Sequence, residues 1–223
     1  MIKVSKLIIL YVFYVSIAFG SKIAVATKVK GLVEIIPIGK TEFFDLKAGT
    51  ILSDGDKIRT GKSGFVAIIF IDDKSTLKLK GDTEAIISGQ RTSASISKKI
   101  NMDTGTIRAT VNKQNTDFVI QTPTSVASVK GTDFWLLTDP IAGDQVIGIE
   151  GIVGLMNNET GQEVDVNEGM SGISTPDGNL GVNETNPSSI PEDPSADQEG
   201  PSQIKIYLEG PNGDQKVMII EYQ

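Results

Sequence analysis

Short alternating runs of β-branched and aromatic residues, broken by glycine and proline, most restrict how this chain can fold. The clearest run covers residues 126–137, in which Gly131 interrupts the pattern and Trp135 is the single tryptophan of the chain. A glycine inside such a run is typical of a bulge or of a close backbone approach. Similar runs occupy residues 106–111 and 145–155, so the sequence predicts an all-β protein.

Two residue types that most hydrolytic and metal chemistry requires are missing, because the chain contains no His and no Cys. A Ser-His-Asp triad, an ordinary zinc site, a disulfide and a cysteine nucleophile are therefore excluded. The 39% hydrophobic content suffices for a packed domain, and with only 6% aromatic residues, Val and Ile must fill most of the core. We expect a non-enzymatic protein without catalytic, cofactor-binding or metal-binding residues.

The N-terminus has the pattern of an export signal. Lys3 and Lys6 form a positive segment, residues 7–19 are apolar, and cleavage is predicted before Ser21. As a helix the 13 apolar residues would span about 20 Å, less than the roughly 30 Å hydrocarbon core of a bilayer. A cleaved signal peptide over residues 1–20 is therefore favoured over a retained anchor. The rest of the chain is expected to be periplasmic or secreted, with no stable membrane span.

Charge is distributed unevenly along the chain. Residues 21–138 carry a net charge of +5, whereas residues 139–223 carry −14. This asymmetry indicates that the acidic part is solvated or meets a basic partner, and that the middle of the chain has a mildly basic face. The lysines are scattered singly, as is common on outward-facing strand positions, so no nucleic-acid partner is predicted.

The strand pattern after the signal also indicates a repeated architecture. Residues 64–71 form a nearly continuous apolar strand, residues 72–74 form a turn, and Leu and Lys alternate over residues 77–80. The run Gly-Leu-Val-Glu-Ile that begins at Gly31 is echoed by Gly-Ile-Val-Gly-Leu from Gly151. Two such units fit either stacked coils or facing sheets. The prediction is a twisted β-solenoid-like domain or a sandwich of short strands; strand spacing does not separate the two.

Several blocks, in this order along the chain, resemble the FecR domain. They are Leu-Lys-Ala-Gly at 46–49, Asp-Lys-Ile-Arg-Thr-Gly at 56–61, the apolar strand at 64–71, Gly-Thr-Ile-Arg-Ala at 105–109 and Val-Lys-Gly-Thr-Asp-Phe at 129–134. The resemblance covers roughly residues 30–173, and the order of the blocks makes it more specific than any single block. Two positions depart from the family pattern, since Asp73 stands where the turn usually has Gly and Lys130 where the last block usually has Arg.

The resemblance implies an extracytoplasmic, non-catalytic β-module. The best-known members relay the occupancy of an outer-membrane transporter to a cytoplasmic sigma factor, through a cytoplasmic N-terminal segment and one membrane span. Because this chain begins with the predicted signal, it is expected to be a stand-alone exported module. Its expected role is to bind another envelope component, a protein in preference to a polysaccharide, in envelope signalling. The alternative is a structural subunit of a cell-surface or secretion assembly with no signalling role.

Three acidic groups raise the alternative of weak calcium sites. They are Asp54 with Asp56, Asp72 with Asp73, and the stretch at residues 159–168. Extracellular modules bind calcium through such oxygen ligands with dissociation constants of about 10⁻⁴–10⁻³ M. None of the three has an EF-hand spacing, and Asp, Asn and Gly are the residues that tight turns use. The turn interpretation is favoured.

The composition changes sharply at the end of the predicted domain, residues 21–173. Residues 174–202 are rich in Pro, Ser, Asn and acidic residues, which is typical of a solvated linker. Residues 203–223 resemble a β-hairpin around Gly-Pro-Asn-Gly-Asp at 210–214. An isolated hairpin is marginal in water, so it either folds back on the domain or offers a free edge for β-augmentation of a partner. Fold-back is favoured, because an exposed apolar hairpin invites aggregation.

The side chains expected to contact a partner are one aromatic residue in the domain and four residues in the hairpin. They are Trp135, Ile206, Tyr207, Leu208 and Met218. Trp135 would stack on a peptide or a sugar if it were exposed. Alternation along the strand places at least one of Phe134 and Trp135 in the core instead.

Overall fold

The computed structural model of the protein describes residues 20–92, 95–113, 116–194, 202–209 and 215–222. The predicted signal peptide lies outside these residues except for Gly20. The strands are β1 Lys22–Lys30, β2 Val33–Ile36, β3 Phe44–Asp45, β4 Ile51–Ser53, β5 Asp56–Thr60, β6 Phe65–Phe70, β7 Thr76–Leu79, β8 Glu84–Arg91, β9 Ile96–Thr110, β10 Phe118–Gln121, β11 Ser125–Val129, β12 Asp133–Asp139, β13 Gly143–Glu150, β14 Ile152–Asn157, β15 Glu163–Asn167, β16 Met170–Ser174, β17 Leu180–Glu184, β18 Ser202–Glu209 and β19 Gln215–Tyr222.

The predicted all-β class is confirmed. A single turn of 3-10 helix, Pro187–Ser189, follows β17. Within the described ranges, no helix combines the length and the hydropathy that crossing a bilayer demands.

Strands β1 to β17 form two sheets that share one long strand, β9. Sheet 1 has the order β4-β1-β6-β7-β9-β12-β13-β16-β17, with every pair antiparallel. Sheet 2 has the order β3-β2-β5-β8-β9-β10-β11-β14-β15, in which only β9 and β10 run parallel. The first part of β9 belongs to sheet 2, and residues 105–110 belong to sheet 1.

The chain passes from one sheet to the other within β9 at Gly105. This residue has φ +117°, a conformation that residues with a Cβ rarely adopt. A Cβ here would lie 2.5 Å from the Cα of Thr83. The Thr83 hydroxyl in turn accepts a hydrogen bond from the backbone N–H of Thr106 at 3.0 Å. The crossing therefore requires a residue without a side chain.

One hydrophobic core lies between the sheets. Sheet 1 contributes Val66, Ile68 and Phe70 to it, and sheet 2 contributes Ile100 and Phe118, among others. The rings of Phe70 and Phe118 meet edge to face with their centroids 5.8 Å apart, an arrangement that favours aromatic pairs. Of the two architectures that the sequence left open, the structure is therefore a sandwich of two open, facing sheets.

The predicted internal repeat is visible in the topology. Around Gly31, β1 and β4 pair in sheet 1 and flank the β2–β3 hairpin of sheet 2. Around Gly151, β13 and β16 pair in sheet 1 and flank the β14–β15 hairpin of sheet 2. Gly31 and Gly151, which begin the echoed sequences, have φ +64° and +80° at the equivalent turns from sheet 1 into sheet 2.

The ordered sheet continues into the segment that the sequence analysis assigns to a linker. Strand β17 pairs with β16 and forms the end of sheet 1. Its side chains are half-buried or exposed, so it lacks the apolar alternation by which a buried strand is recognised. The segment from Thr185 to Pro194 then leaves the strand and crosses back over the sheet.

The hairpin predicted at the C-terminus forms from β18 and β19, which pair only with each other in the described part of the chain. Ile220 on β19 is 5% exposed and packs with Val25 of β1, beside Ile51 and Ile71. The fold-back that the sequence favoured is thus seen at this contact.

Candidate partner-binding site

The outer face of sheet 1 carries a row of cationic and apolar side chains. Leu77, Ile107 and Phe134 point into the core. Their neighbours Lys78, Arg108 and Trp135 therefore point outward, since successive strand residues face opposite sides. Lys78 lies opposite Arg108, and Arg108 opposite Trp135, in the pairing register. Directly opposed residues have neighbouring side chains, so the three form one continuous row across β7, β9 and β12.

The chain's own acidic segment lies across this row. We call residues 185–194 the strap. The Asp193 carboxylate forms ion pairs with Lys78 Nζ at 2.6 Å and with Arg108 Nη1 at 2.8 Å. Lys80 Nζ donates to the Glu192 carbonyl oxygen, and Lys30 Nζ to the Pro194 carbonyl oxygen, both at 3.0 Å. At the other end, the Thr185 hydroxyl lies 2.9 Å from that of Ser171 on β16.

Trp135 is buried, although it points away from the core. Its exposed fraction is 1%, and the next residue on the outer row, Ile147, is fully buried as well. The Lys80 ammonium and the Arg108 guanidinium each lie 5.7 Å from the Trp135 ring, within range of a cation–π interaction. In this structure the ring is therefore not available at the surface for stacking on a partner.

The electrostatics of the row centre on Arg108. Its guanidinium donates two hydrogen bonds to the Asp133 carboxylate, at 2.9 Å from Nε and 2.8 Å from Nη2. Hydrogen bonding to Asp133 raises the pKa of Arg108 above its ordinary value, against the opposite effect of burial. Such two-point pairing fixes the guanidinium plane and leaves Nη1 to donate to Asp193.

The four hairpin residues expected to contact a partner lie on its two strands. Ile206, Tyr207 and Leu208 are in β18 and Met218 is in β19. In the register, Ile206 pairs with Met218 and Tyr207 with Val217. The hairpin residues and Trp135 are on separate elements, and no described contact joins them into one site.

The docking of the hairpin gives a first testable prediction. Replacing Ile220 with serine is expected to weaken docking by about 1.5 kcal/mol or more, roughly tenfold in the docking equilibrium, because a buried Ile is lost. Limited proteolysis should then cut the hairpin faster while the sandwich keeps its thermal midpoint. The matched control is Val217→Ser, because Val217 is 49% exposed. Equal cleavage rates for the two variants would contradict the docking role of Ile220.

Two of the acidic groups considered as calcium ligands make contacts within the protein. The Asp56 carboxylate accepts backbone N–H groups of Ile38 at 2.9 Å and Ser53 at 2.8 Å. Asp72 and Asp73 each accept a 2.9 Å ion pair from Lys98. Among the described residues, no three metal-ligating side chains gather in one place. The Asp56 carboxylate therefore serves a turn, whereas Asp72 and Asp73 bind a buried lysine.

A second buried polar cluster joins the sheets around Asp144, whose exposed fraction is 2%. Its carboxylate accepts hydrogen bonds from the hydroxyls of Thr122, at 2.5 Å, and of Ser125 and Thr138. The cluster ties the β10–β11 turn of sheet 2 to β12 and β13 of sheet 1. Its hydroxyls are all engaged with the carboxylate, which is the arrangement of a structural anchor.

Sequence reasoning missed the strap and the cations beneath it. Lys78 and Lys80 were interpreted as edge lysines, whereas they bind Asp193 and the Glu192 carbonyl. The available signal was the charge asymmetry, since the acidic C-terminal part meets a basic face within the same chain.

Residues 56–153 match the family described as FecR protein, within the range that the sequence resemblance covers. The match includes Lys78, Arg108 and Trp135 but ends before the strap. Two crystal structures of a candidate anti-sigma factor from Parabacteroides distasonis ATCC 8503, at 1.65 and 2.50 Å resolution, are also similar. Both are 14% identical over 57% of this chain and 59% of theirs, with TM-scores of 0.48 and 0.49.

This chain thus spans less than two thirds of the length of those structures. No curated protein matches it. The family match confirms the resemblance noted in the sequence. Residues 56–153 therefore carry the signature of the FecR protein family.

Proposed function

We propose that this protein is a non-enzymatic, exported regulatory module that binds another protein of the cell envelope through its C-terminal hairpin. The observation that carries the proposal is that β18 and β19 form a sheet of their own. Each strand has a paired edge toward its neighbour and, in the described part of the chain, a second edge without a strand partner. Such edges offer backbone N–H and C=O groups to a partner strand.

The way the hairpin is held supports the same function. Ile220 anchors the hairpin against Val25, whereas Val217 is half exposed. An anchored hairpin loses less conformational freedom on binding than a free tail does, and this favours affinity. The FecR domain supplies the regulatory class, which is also that of the candidate anti-sigma factor of similar structure. The signal-like N-terminus supports export, with the FecR-like domain beginning at Ser21.

Site-specific photo-crosslinking in living cells tests the proposal. A photoreactive amino acid replaces Val217 in the tagged full-length chain; the matched control places it at Ile141, which is 89% exposed in the β12–β13 turn. We expect one discrete adduct from position 217 that position 141 does not give. The captured protein should be an envelope protein, and the captured chain should have lost its first 20 residues.

Two results would reject the proposal in different ways. Adducts of the chain with itself, or with many subunits from both positions, would favour the structural subunit considered as the alternative. If the captured chain kept its first 20 residues and were found in the cytoplasmic fraction, export would be rejected. The identity of the captured partner would still test the binding role of the hairpin.

A further inference from the structure

The strap occupies its site in the manner of a bound peptide. Residues 191–194 lie outside the strands. The contacts that hold them come from Lys30 of β1, Lys78 of β7, Lys80 just after β7 and Arg108 of β9. Two of these contacts go to backbone carbonyls and two to the Asp193 carboxylate. Because prolines have no backbone N–H, carbonyls and carboxylates are what this segment chiefly offers for recognition.

The site beneath the strap has the composition of a recognition surface. Lys80 and Arg108 lie against the ring of Trp135, and Lys78 lies opposite Arg108 in the pairing register. Arg and Trp are the residue types that most often dominate the energy of protein interfaces. A buried tryptophan on the solvent side of a sheet is unusual for a residue with only a packing role, since the core lies on the other face.

The strap is also held weakly enough for a partner peptide to displace it. Ile190, at its centre, is 40% exposed, and Glu192 is exposed. Ion pairs near the surface hold a segment weakly compared with a strand ladder. The strap is nonetheless tethered, and a tethered ligand competes at a high effective concentration. A partner would therefore bind only weakly until the strap is loosened.

We propose that the face formed by Lys78, Lys80, Arg108 and Trp135 binds an extended acidic peptide of a partner protein, and that the strap fills this face in the free protein. The peptide presents one carboxylate to Lys78 and Arg108 and its backbone carbonyls to Lys80 and Lys30. This inference shares with the proposed function only the need for a protein partner, because its site is separate from the hairpin.

Fluorescence of the single tryptophan tests the inference in the full-length chain. In the variant Asp193→Asn the strap loses both ion pairs, so we expect the emission of Trp135 to shift to longer wavelength as the ring becomes hydrated. A synthetic peptide containing Ile-Pro-Glu-Asp-Pro should then reverse the shift. Its apparent affinity should be at least about tenfold higher for Asp193→Asn than for the wild type, whose site is filled. Glu168→Gln, which changes an exposed carboxylate outside the strap, should behave as the wild type.

Two controls test whether the effect is specific. The double variant Lys78→Gln, Asp193→Asn should show the emission shift but no longer respond to the peptide. A peptide with Asn in place of its Asp should not reverse the shift.

Unchanged emission in Asp193→Asn, or a shift that the peptide does not reverse although the variant unfolds cooperatively, would overturn the inference. If dextran sulfate reversed the emission shift as effectively as the peptide, the inference would be overturned in favour of a general polyanion site. The crosslinking experiment at Val217 tests only the hairpin, so the proposed function and this inference can fail separately.

Discussion

Replacing Lys98 with methionine is expected to lower the free energy of unfolding by about 3–5 kcal/mol, because it removes one partner of a buried ionic cluster. The Lys98 side chain is fully buried, and its ammonium lies 2.9 Å from both Asp72 and Asp73. It also donates to the Ile96 carbonyl at 3.1 Å and lies 5.3 Å from the Phe70 ring. Methionine fills similar space but leaves two poorly solvated carboxylates facing each other without a cation.

The loss should depend on pH. In the wild type, burial raises the pKa of Asp72, but the hydrogen bonds from Lys98 and from the Ile96 N–H outweigh burial and hold the pKa below its ordinary value. A lowered pKa in the folded state stabilises the protein above the ordinary pKa of an aspartate, about 3.9. That stability is lost as the pH falls through the lowered value. In Lys98→Met the cation is gone, so the difference between the two proteins should narrow in acid.

Urea denaturation of both proteins at neutral and at acid pH measures this. The matched control is Lys99→Met, because Lys99 is the next residue of the same strand and is exposed. We expect the control to change the free energy of unfolding by less than about 0.5 kcal/mol. A loss in Lys98→Met as small as in the control, or one independent of pH, would contradict the ionic account.

Replacing Gly105 with alanine is expected to cost about 2–6 kcal/mol of stability. Holding alanine at φ +117° costs about 1–3 kcal/mol of backbone strain. The added Cβ would lie 2.5 Å from Thr83 Cα and 2.6 Å from its Cβ, and relieving such overpacking costs about 1–3 kcal/mol more. Because Gly105 is where β9 changes sheets, the strain acts on the strand that both sheets share.

Two other glycines separate the two costs. Gly169 has φ +75° with nothing within 4 Å of an added Cβ, so Gly169→Ala should show backbone strain alone, about 1–2 kcal/mol. Gly181 in β17 has neither a positive φ nor a close neighbour, and its replacement should be close to neutral. Thermal and urea unfolding of the three variants should therefore rank Gly105, Gly169 and Gly181 in decreasing order of effect. A different order would show that the crossing in β9 tolerates a side chain.

Local patterns explain which parts of the fold were predictable. Apolar alternation identified the β6–β7 hairpin, because this signal depends on neighbours within a few residues. The turns at Gly31 and Gly151 were not predicted, because each glycine lies within a continuous strand-like run. Strand β17 was missed since its exposed side chains carry no such alternation. The order of the FecR blocks was informative for a related reason, because each block includes a strand or a turn of this sandwich.

The candidate site was predictable only in part. The sequence singled out Trp135 as a residue able to contact a partner, and alternation left open whether it or Phe134 faces the core. The structure places Phe134 in the core and Trp135 on the opposite face, against Lys80 and Arg108, the cations that bind the strap. Lys78 and Arg108 were not selected, because a lysine or an arginine on an outward strand position is ordinary until its partner is known.

The sequence by itself determined the all-β class and the faces of the main strands, because these depend on composition and on side-chain alternation. Only the tertiary structure decided between a solenoid and a sandwich and showed that the acidic strap lies on the basic row. Lys78 and Asp193 are 115 residues apart in the chain. Alternation specifies which way a side chain points, but a contact over that separation depends on how all the intervening strands are ordered in the sheets.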